Sequence, residues 1–169
     1  VLTPADASGP RPTVYMLDGA GAEGDVSDWI TKGHAGRFFA GKNVNVVLPT
    51  GGKGSFYTDW QKKDAALGKP MWETFLTKEL PGPLESRLQA NDKRAIAGMS
   101  MSATSSLLLA QHNQGFYDAV GSYAGCAATA YPLERQAVEL TVNRGGGSVD
   151  QMWGPYGSET NRYNDAMMN

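Results

Sequence analysis

The hydrophobic residues of the chain form short continuous runs, and polar stretches with helical spacing separate them. Runs such as "TVYML" and "VNVVL" are rich in β-branched and aromatic residues and stop at Asp-Gly or proline, which is typical of buried strands. Between runs, Trp72, Phe75, Leu76 and Leu80 share one face of a predicted helix. The predicted strands are 13–19, 44–49, 93–98 and 119–123, and the predicted helices are 35–40, 70–80, 83–90 and 100–113.

The order of these elements predicts the architecture. Strands alternate with helices, and the strands are continuously apolar, which is typical of a parallel sheet with helices on both faces. We therefore expect an α/β fold with a single domain over residues 1–169. Residues 1–12 are predicted to be a loop and Pro81 to end the preceding helix. The pattern weakens after Pro132, and the glycine- and asparagine-rich stretch 143–169 is predicted to be irregular.

Composition is consistent with this domain and excludes several classes of protein. Hydrophobic residues make up 41% and charged residues 19%, the net charge is −2, and no basic run indicates nucleic-acid binding. No apolar stretch approaches the roughly 20 residues of a membrane-spanning helix. Cys126 is the only cysteine, so the chain contains no internal disulfide and no zinc cluster is predicted. We expect Cys126 to be a small buried packing residue, and no metal or organic cofactor is predicted.

The segment "AGMSMS" carries the candidate chemistry. A strand that leads into Gly98-Met99-Ser100-Met101-Ser102 and then into a helix fits the tight turn that presents the nucleophile in the α/β-hydrolase fold. Ser102 stands where that motif usually has glycine, but it is also small. Such a turn lifts the Ser100 hydroxyl above the sheet and leaves the Met101 amide free to donate to an oxyanion. The alternative is that Ser100 is only a helix N-cap.

A second oxyanion donor is expected in the loop after the first strand. This loop, "LDGAG", contains Gly19 and Gly21, which let the backbone approach a ligand closely. The alternative is a plain Asp-Gly turn.

Five stretches, in order along the chain, resemble one family. They are similar to the secreted mycolyltransferases of mycolic-acid bacteria, the antigen 85 type, and closest to the corynebacterial kind. The resemblance implies an α/β-hydrolase of the cell envelope that moves a mycolyl group from trehalose monomycolate to another trehalose monomycolate, to arabinogalactan or to a protein serine. The stretches are "VYMLDGAGAEGDVSDW", "VNVVLPTGGKGSFYTDW", "WETFLTKELP", "AIAGMSMSATSSLLLA" and "DQMWGP".

The same resemblance assigns roles to individual residues. It implies that Ser100 is the nucleophile and that the backbone amides of Ala20 and Met101 form the oxyanion hole. It also implies that Asp18 hydrogen-bonds a trehalose hydroxyl. The family usually has an arginine where this chain has Gly21, so that sugar contact lacks its usual side chain. The tryptophans assigned to packing are Trp60, Trp72 and Trp153.

A serine nucleophile needs a base and an acid, which in this fold follow the serine. His112 lies on the same predicted helix as Ser100, about 18 Å away at about 1.5 Å per residue, and His34 precedes the serine. Neither histidine is expected to be the base. The acids after Ser100 are expected on solvated surfaces: Glu134, Glu139, Asp150, Glu159 and Asp165.

The resemblance implies that the family's glutamate and histidine lie beyond the last residue of this sequence. We therefore interpret the chain as part of an α/β-hydrolase domain. A second polypeptide piece that docks noncovalently, a longer protein and a true fragment are the alternatives. Two rival functions also remain open, a carboxylesterase of the same fold and a noncatalytic protein that binds carbohydrate or matrix protein. The missing histidine favours a binding protein, whereas Ser100 and its small neighbours favour an enzyme.

Overall fold

A computed structural model describes residues 1–6 and 9–169, and its centre is a four-stranded sheet in the order β2-β1-β3-β4. All pairings between these strands are parallel, which confirms the predicted α/β class. The strands are β1 (Arg11–Leu17), β2 (Asn45–Val47), β3 (Ala90–Met99) and β4 (Ala119–Tyr123).

Helices connect the strands, as the alternating pattern predicts. In the part of the chain that the structure describes, none of them is long and apolar enough to cross a bilayer. A π-helical turn, Phe75–Glu79, follows the third helix. The helices are α1 (Asp28–Thr31), α2 (Ala35–Phe39), α3 (Trp72–Thr74), α4 (Pro81–Arg87), α5 (Met101–His112), α6 (Pro132–Arg144), α7 (Val149–Met152) and α8 (Glu159–Tyr163).

The core lies between one face of the sheet and α5. Successive strand residues point to opposite faces, so Leu17 and Ile96 join the core while Met16 and Met99 face the other side. On that other side, α1 and α2 form an apolar groove of about 530 Å³ with the strands. Trp60 and Trp153 are fully buried and Trp72 packs against the same core, so the assignment of all three to packing is confirmed.

The beginning of the chain is more ordered than predicted. Strand β1 begins at Arg11, inside the predicted loop. Leu2 also pairs with Val46 through two backbone hydrogen bonds, Leu2 N–H to Val46 O at 2.8 Å and Val46 N–H to Leu2 O at 2.9 Å. Ala7 and Ser8 of that predicted loop lie outside the described residues. A neighbouring strand edge therefore overrides the low strand propensity of a Pro- and Gly-rich segment.

One helical segment ends just before Pro81, as predicted, and Pro81 also begins the next helix. The backbone of Leu80 is helical, with φ −73° and ψ −44°, and Pro81 is the first residue of α4. Proline is well suited to a first helical turn because the N–H that it lacks has no partner there.

The chain after Pro132 is more helical than its pattern predicts, because α6 spans Pro132–Arg144, while the stretch 143–169 holds the short helices α7 and α8 between irregular turns. Helix α6 buries only Arg135, Val138 and Val142, which is too few apolar positions to give a clear helical period. Ser158 caps α8 by accepting a hydrogen bond from the Asn161 amide at 3.2 Å. Tertiary contacts and a local cap therefore form helices that the hydrophobic pattern does not predict.

Candidate active site

Ser100 occupies a strained position between β3 and α5. Its φ of 58° and ψ of −120° are unusual for a residue with a side chain, and its side chain makes no capping hydrogen bond. The residue is exposed. The alternative of a simple N-cap therefore does not describe Ser100, because a capping serine has extended backbone and a bonded hydroxyl.

Two glycines make this turn possible because they have no Cβ atom. A Cβ on Gly98 would lie 2.0 Å from the carbonyl oxygen of Ser102, and a Cβ on Gly125 would lie 2.5 Å from the Cβ of Ala103. The Ser100 amide donates to the carbonyl oxygen of Tyr123 at 2.8 Å, which fixes the turn against the end of β4. The glycine two residues before Ser100 is thus a steric requirement, as the motif predicts.

The loop after β1 lies directly against the Ser100 turn. A Cβ on Gly19 would be 3.3 Å from the Met99 carbonyl oxygen and 3.6 Å from Ser100 Cβ. The Ala22 amide donates to Gly19 O at 3.3 Å, so the loop makes a tight turn with half-buried Ala20 inside it. "LDGAG" is therefore a turn, and it is brought to the position expected of an oxyanion loop.

Ser102 has a role that sequence reasoning missed. Its hydroxyl is fully buried and lies 2.9 Å from the Met99 amide nitrogen and 2.7 Å from the Leu17 carbonyl oxygen. The indole N–H of Trp29 donates to the same Leu17 oxygen at 2.9 Å. The motif requires only a small residue here, so nothing in the sequence pattern indicates this contact.

Asp18 is buried, with 2% of its surface exposed. The Ser27 hydroxyl donates to its Oδ1 at 2.8 Å, and its own amide donates to the Tyr57 hydroxyl at 3.2 Å. Burial raises the pKa of the Asp18 carboxyl above its usual value, although hydrogen bonds from Ser27 and the Trp29 amide oppose the change. Its carboxylate ties the loop after β1 to Ser27, the residue before α1.

A cavity of about 170 Å³ opens beside Ser100. Cys126 lies at this cavity and is exposed, so its prediction as a buried residue is wrong. The Thr104 hydroxyl holds the Cys126 backbone in the turn after β4, donating to its carbonyl oxygen at 2.9 Å and accepting from its amide at 3.1 Å. The other side chains at this cavity include Phe56, Met101, Val138 and Thr141.

The two histidines lie outside the Ser100 turn. Both ring nitrogens of His112 are engaged elsewhere, Nδ1 with Glu73 Oε2 at 3.2 Å and Nε2 with the Tyr163 carbonyl oxygen at 3.0 Å. His34 stands at the start of α2 in a left-handed conformation. In residues 1–6 and 9–169, no three His, Cys, Asp or Glu side chains are grouped to hold a metal ion.

Asp165 differs from the other acids, and its prediction as a surface residue is wrong. It is completely buried, and its Oδ2 accepts hydrogen bonds from the amides of Thr129 at 2.7 Å and Ala130 at 2.6 Å. Its Oδ1 accepts from the Met167 amide at 2.8 Å. These bonds make Asp165 the anchor of the chain's last described residues.

Comparisons with known proteins agree with this geometry. The family model described as "Putative esterase" matches residues 1–169. The chain is 33% identical over 165 residues to the diacylglycerol acyltransferase/mycolyltransferase Ag85A of Mycobacterium tuberculosis H37Rv, covering 94% of this chain and 48% of that protein. The chain therefore spans about half the length of the curated relatives it matches.

Solved structures share the fold. The structure of Mycobacterium tuberculosis MPT51 (FbpC1) superposes with a TM-score of 0.84 at 30% identity, covering 95% of this chain and 59% of that one. An S-formylglutathione hydrolase from Agrobacterium tumefaciens has the same fold, with a TM-score of 0.73 at 19% identity over 95% of this chain and 60% of its own. The sheet and the Ser100 turn therefore belong to an α/β-hydrolase architecture.

Proposed function

Because the chain belongs to the putative esterase family and, within it, to the Ag85 type, we propose that it carries the nucleophile of a serine acyltransferase. The proposed donor is trehalose monomycolate, and the proposed acceptor is trehalose monomycolate, arabinogalactan or another hydroxyl. The single observation that carries the proposal is the exposed Ser100 on a positive-φ turn at a helix N-terminus, beside the loop after β1.

The geometry supports a covalent mechanism in two steps. In the first, Ser100 Oγ bonds to the carbonyl carbon of the donor ester, the ester C–O bond breaks, and trehalose leaves with the serine proton. The proposed amides of Ala20 and Met101 stabilise the oxyanion that forms during this attack. Met101 is the first residue of α5, so its amide has no intrahelical partner. In the second step an acceptor hydroxyl attacks the acyl-serine, and its proton returns to Ser100.

We further propose that the base and the acid come from a segment or second polypeptide outside these residues. The engagement of His112 with Glu73 and Tyr163 supports this, because it leaves neither ring nitrogen for Ser100. The half-length match to the relatives is consistent with it. By the same relationship we propose that the protein is secreted to the cell envelope.

For Asp18 the proposed role is a hydrogen bond to a trehalose hydroxyl. In the structure the Ser27 hydroxyl already occupies Oδ1. A sugar contact at that oxygen therefore requires Asp18 to exchange the Ser27 hydroxyl for that of the sugar.

A carboxylesterase of the same fold is the second candidate. The hydrolase from Agrobacterium tumefaciens supports the fold relationship, and a simple esterase differs only in using water as acceptor. The cavity beside Ser100 is small, at about 170 Å³. Typical small-ligand pockets have about 300–1,000 Å³, so only a short acyl group fits inside this cavity. A longer acyl chain has to extend past it.

The experiment is incubation of the full-length protein that carries this chain with trehalose monomycolate, with a Ser100→Ala variant as control. The proposal predicts trehalose dimycolate and free trehalose from the parent and neither from the variant. Free mycolate without dimycolate would favour the esterase. No turnover, with sugar binding retained in both proteins, would favour a noncatalytic binding protein.

A further inference from the structure

The hydroxyl of Ser102 joins the two strands that carry the proposed reacting groups. It lies 2.7 Å from the Leu17 carbonyl oxygen, 3.0 Å from that of Met99 and 2.9 Å from the Met99 amide nitrogen. A hydroxyl has one proton to donate and two lone pairs to accept. It therefore donates to the nearer carbonyl, Leu17, and accepts from the Met99 amide. This forms a buried bridge from the end of β1 to the end of β3.

We propose that Ser102 is a positioning residue for acyl transfer, which fixes the distance between the Ser100 turn and the oxyanion loop. The inference rests on the proposed function of Ser100. Leu17 and Met99 are the last residues of their strands, and Leu17 with Gly98 is the last β1–β3 pair. Beyond that pair, β1 continues into the proposed oxyanion loop and β3 into the Ser100 turn. The Ser102 hydroxyl links the two strands where their backbone hydrogen bonds end.

The bond is not an ordinary helix contact. Ser105, on the same helix, donates to the Met101 carbonyl oxygen four residues earlier at 3.1 Å, which is the usual bond of a serine inside a helix. Ser102 instead reaches a carbonyl 85 positions away in sequence. A glycine would satisfy the steric demand of the turn, so the hydroxyl adds a contact that the turn itself does not need.

Small displacements at this place have large effects on rate. An oxyanion donor works at about 2.7–3.1 Å from the developing charge, and removal of one donor slows turnover by roughly 10²–10³. Gly19 already lies close to Ser100, with its Cβ position 3.6 Å from Ser100 Cβ. Without the Ser102 bridge, the loop after β1 loses a hydrogen bond that holds the Ala20 amide in position relative to Ser100. We expect acylation to slow by about ten- to a hundredfold, with binding of the ester changed less than about twofold.

The test measures acylation of Ser100 in the full-length protein with p-nitrophenyl butyrate and a fluorophosphonate probe. The variants are Ser102→Ala and Ser102→Gly, and Ser102→Thr keeps the hydroxyl. The matched control is Ser106→Ala, because Ser106 is equally buried on α5 and donates to backbone oxygens of Ala103 at 2.9 Å or Gly121 at 3.1 Å. We expect a lower kcat with unchanged KM in Ser102→Ala and Ser102→Gly. Ser102→Thr should approach the parent, and Ser106→Ala should keep the parent rate.

Each result decides between the two proposals. If the parent itself leaves Ser100 unlabelled, the proposed function is wrong. If the parent reacts but Ser102→Ala reacts within twofold of it, or if Ser106→Ala is slowed as much as Ser102→Ala, the positioning role is wrong. If the Ser102 variants fail to fold, hydrogen exchange of the parent decides. The bridge predicts a Met99 amide protected like those inside β3, and exchange as fast as in exposed loops would overturn it.

Discussion

The guanidinium of Arg94 meets the carboxylate of Glu85 at two points, with Nε 2.7 Å from Oε1 and Nη2 2.6 Å from Oε2. The Tyr15 hydroxyl donates to the same Oε1 at 2.8 Å, and both the burial of Tyr15 and this contact raise the pKa of its phenol. Only 6% of the Glu85 side chain is exposed. This carboxylate therefore joins α4 to β3 and β1.

Glu85→Gln should destabilise the protein by about 2 kcal/mol, because it removes a buried carboxylate that pairs with half-buried Arg94. Urea unfolding measures the effect. Lys93→Met is the control, since Lys93 pairs with Asp118 while 67% and 45% of the two side chains are exposed. It should cost less than about 1 kcal/mol. Equal effects for the two variants would contradict a buried, coupled network at Glu85.

The glycine before the nucleophile is predicted to tolerate no side chain. Gly98→Ala places a methyl group 2.0 Å from backbone oxygen, which a rotamer change cannot relieve. We expect a loss of at least about 3 kcal/mol in the free energy of unfolding, or no folded protein. Gly36→Ala is the control, because nothing packs within 4 Å of its Cβ position and alanine is the better helix former in α2. A Gly98→Ala protein as stable as the parent would show that the turn is looser than described.

The strands and the Ser100 turn are the parts of the structure that the sequence predicts. Continuous apolar runs predict strands because burial on both faces of a parallel sheet requires them. Strands β1 and β2 follow this rule, whereas β4 lies at the edge of the sheet and is largely exposed. The Gly-x-Ser-x-Ser spacing predicts the turn because backbone sterics alone dictate small residues there. Both inferences use local rules that one stretch of sequence contains.

What the sequence could not predict depends on distant partners. The burial of Asp165 follows from the amides of Thr129 and Ala130, and the bridge from Ser102 follows from Leu17. Cys126 is exposed because Thr104 holds its backbone in a turn after β4. None of these partners is near in sequence, and no period or motif connects them. The sequence predicts that one helix ends before Pro81 but not that Pro81 begins the next, because proline fits both positions.

His112 is predicted to hold α8 in a pH-dependent manner. Burial alone lowers the pKa of His112, but hydrogen bonds to Glu73 and the Tyr163 carbonyl raise it overall above its usual 6.5. Both nitrogens face acceptors, so the protonated ring makes both bonds, and it stacks on the Tyr163 ring at 4.0 Å. Because the folded-state pKa is raised, this stabilisation is complete below the unfolded value and is lost as pH rises through the folded value.

Hydrogen exchange of residues 159–163, corrected for the intrinsic pH dependence of exchange, measures this loss. Protection should fall as pH rises above about 6.5. Glu73→Gln removes the negative charge beside the ring, and it should move the fall in protection to lower pH. The side-chain amide of Asn113 donates to Glu73 Oε1 at 2.8 Å. This contact involves no charge on Asn113 and should persist in the variant. Protection that does not change with pH, or that increases on the alkaline side, would contradict the assignment.

The central claim is that Ser100 is the residue that becomes acylated. Its most direct test is peptide mapping by mass spectrometry after the full-length protein reacts with a fluorophosphonate probe. The account predicts one adduct, on Ser100, and none in Ser100→Ala, while the buried serines Ser102, Ser105 and Ser106 stay unmodified. An unmodified Ser100 in folded protein, or an adduct that persists in Ser100→Ala, would contradict it.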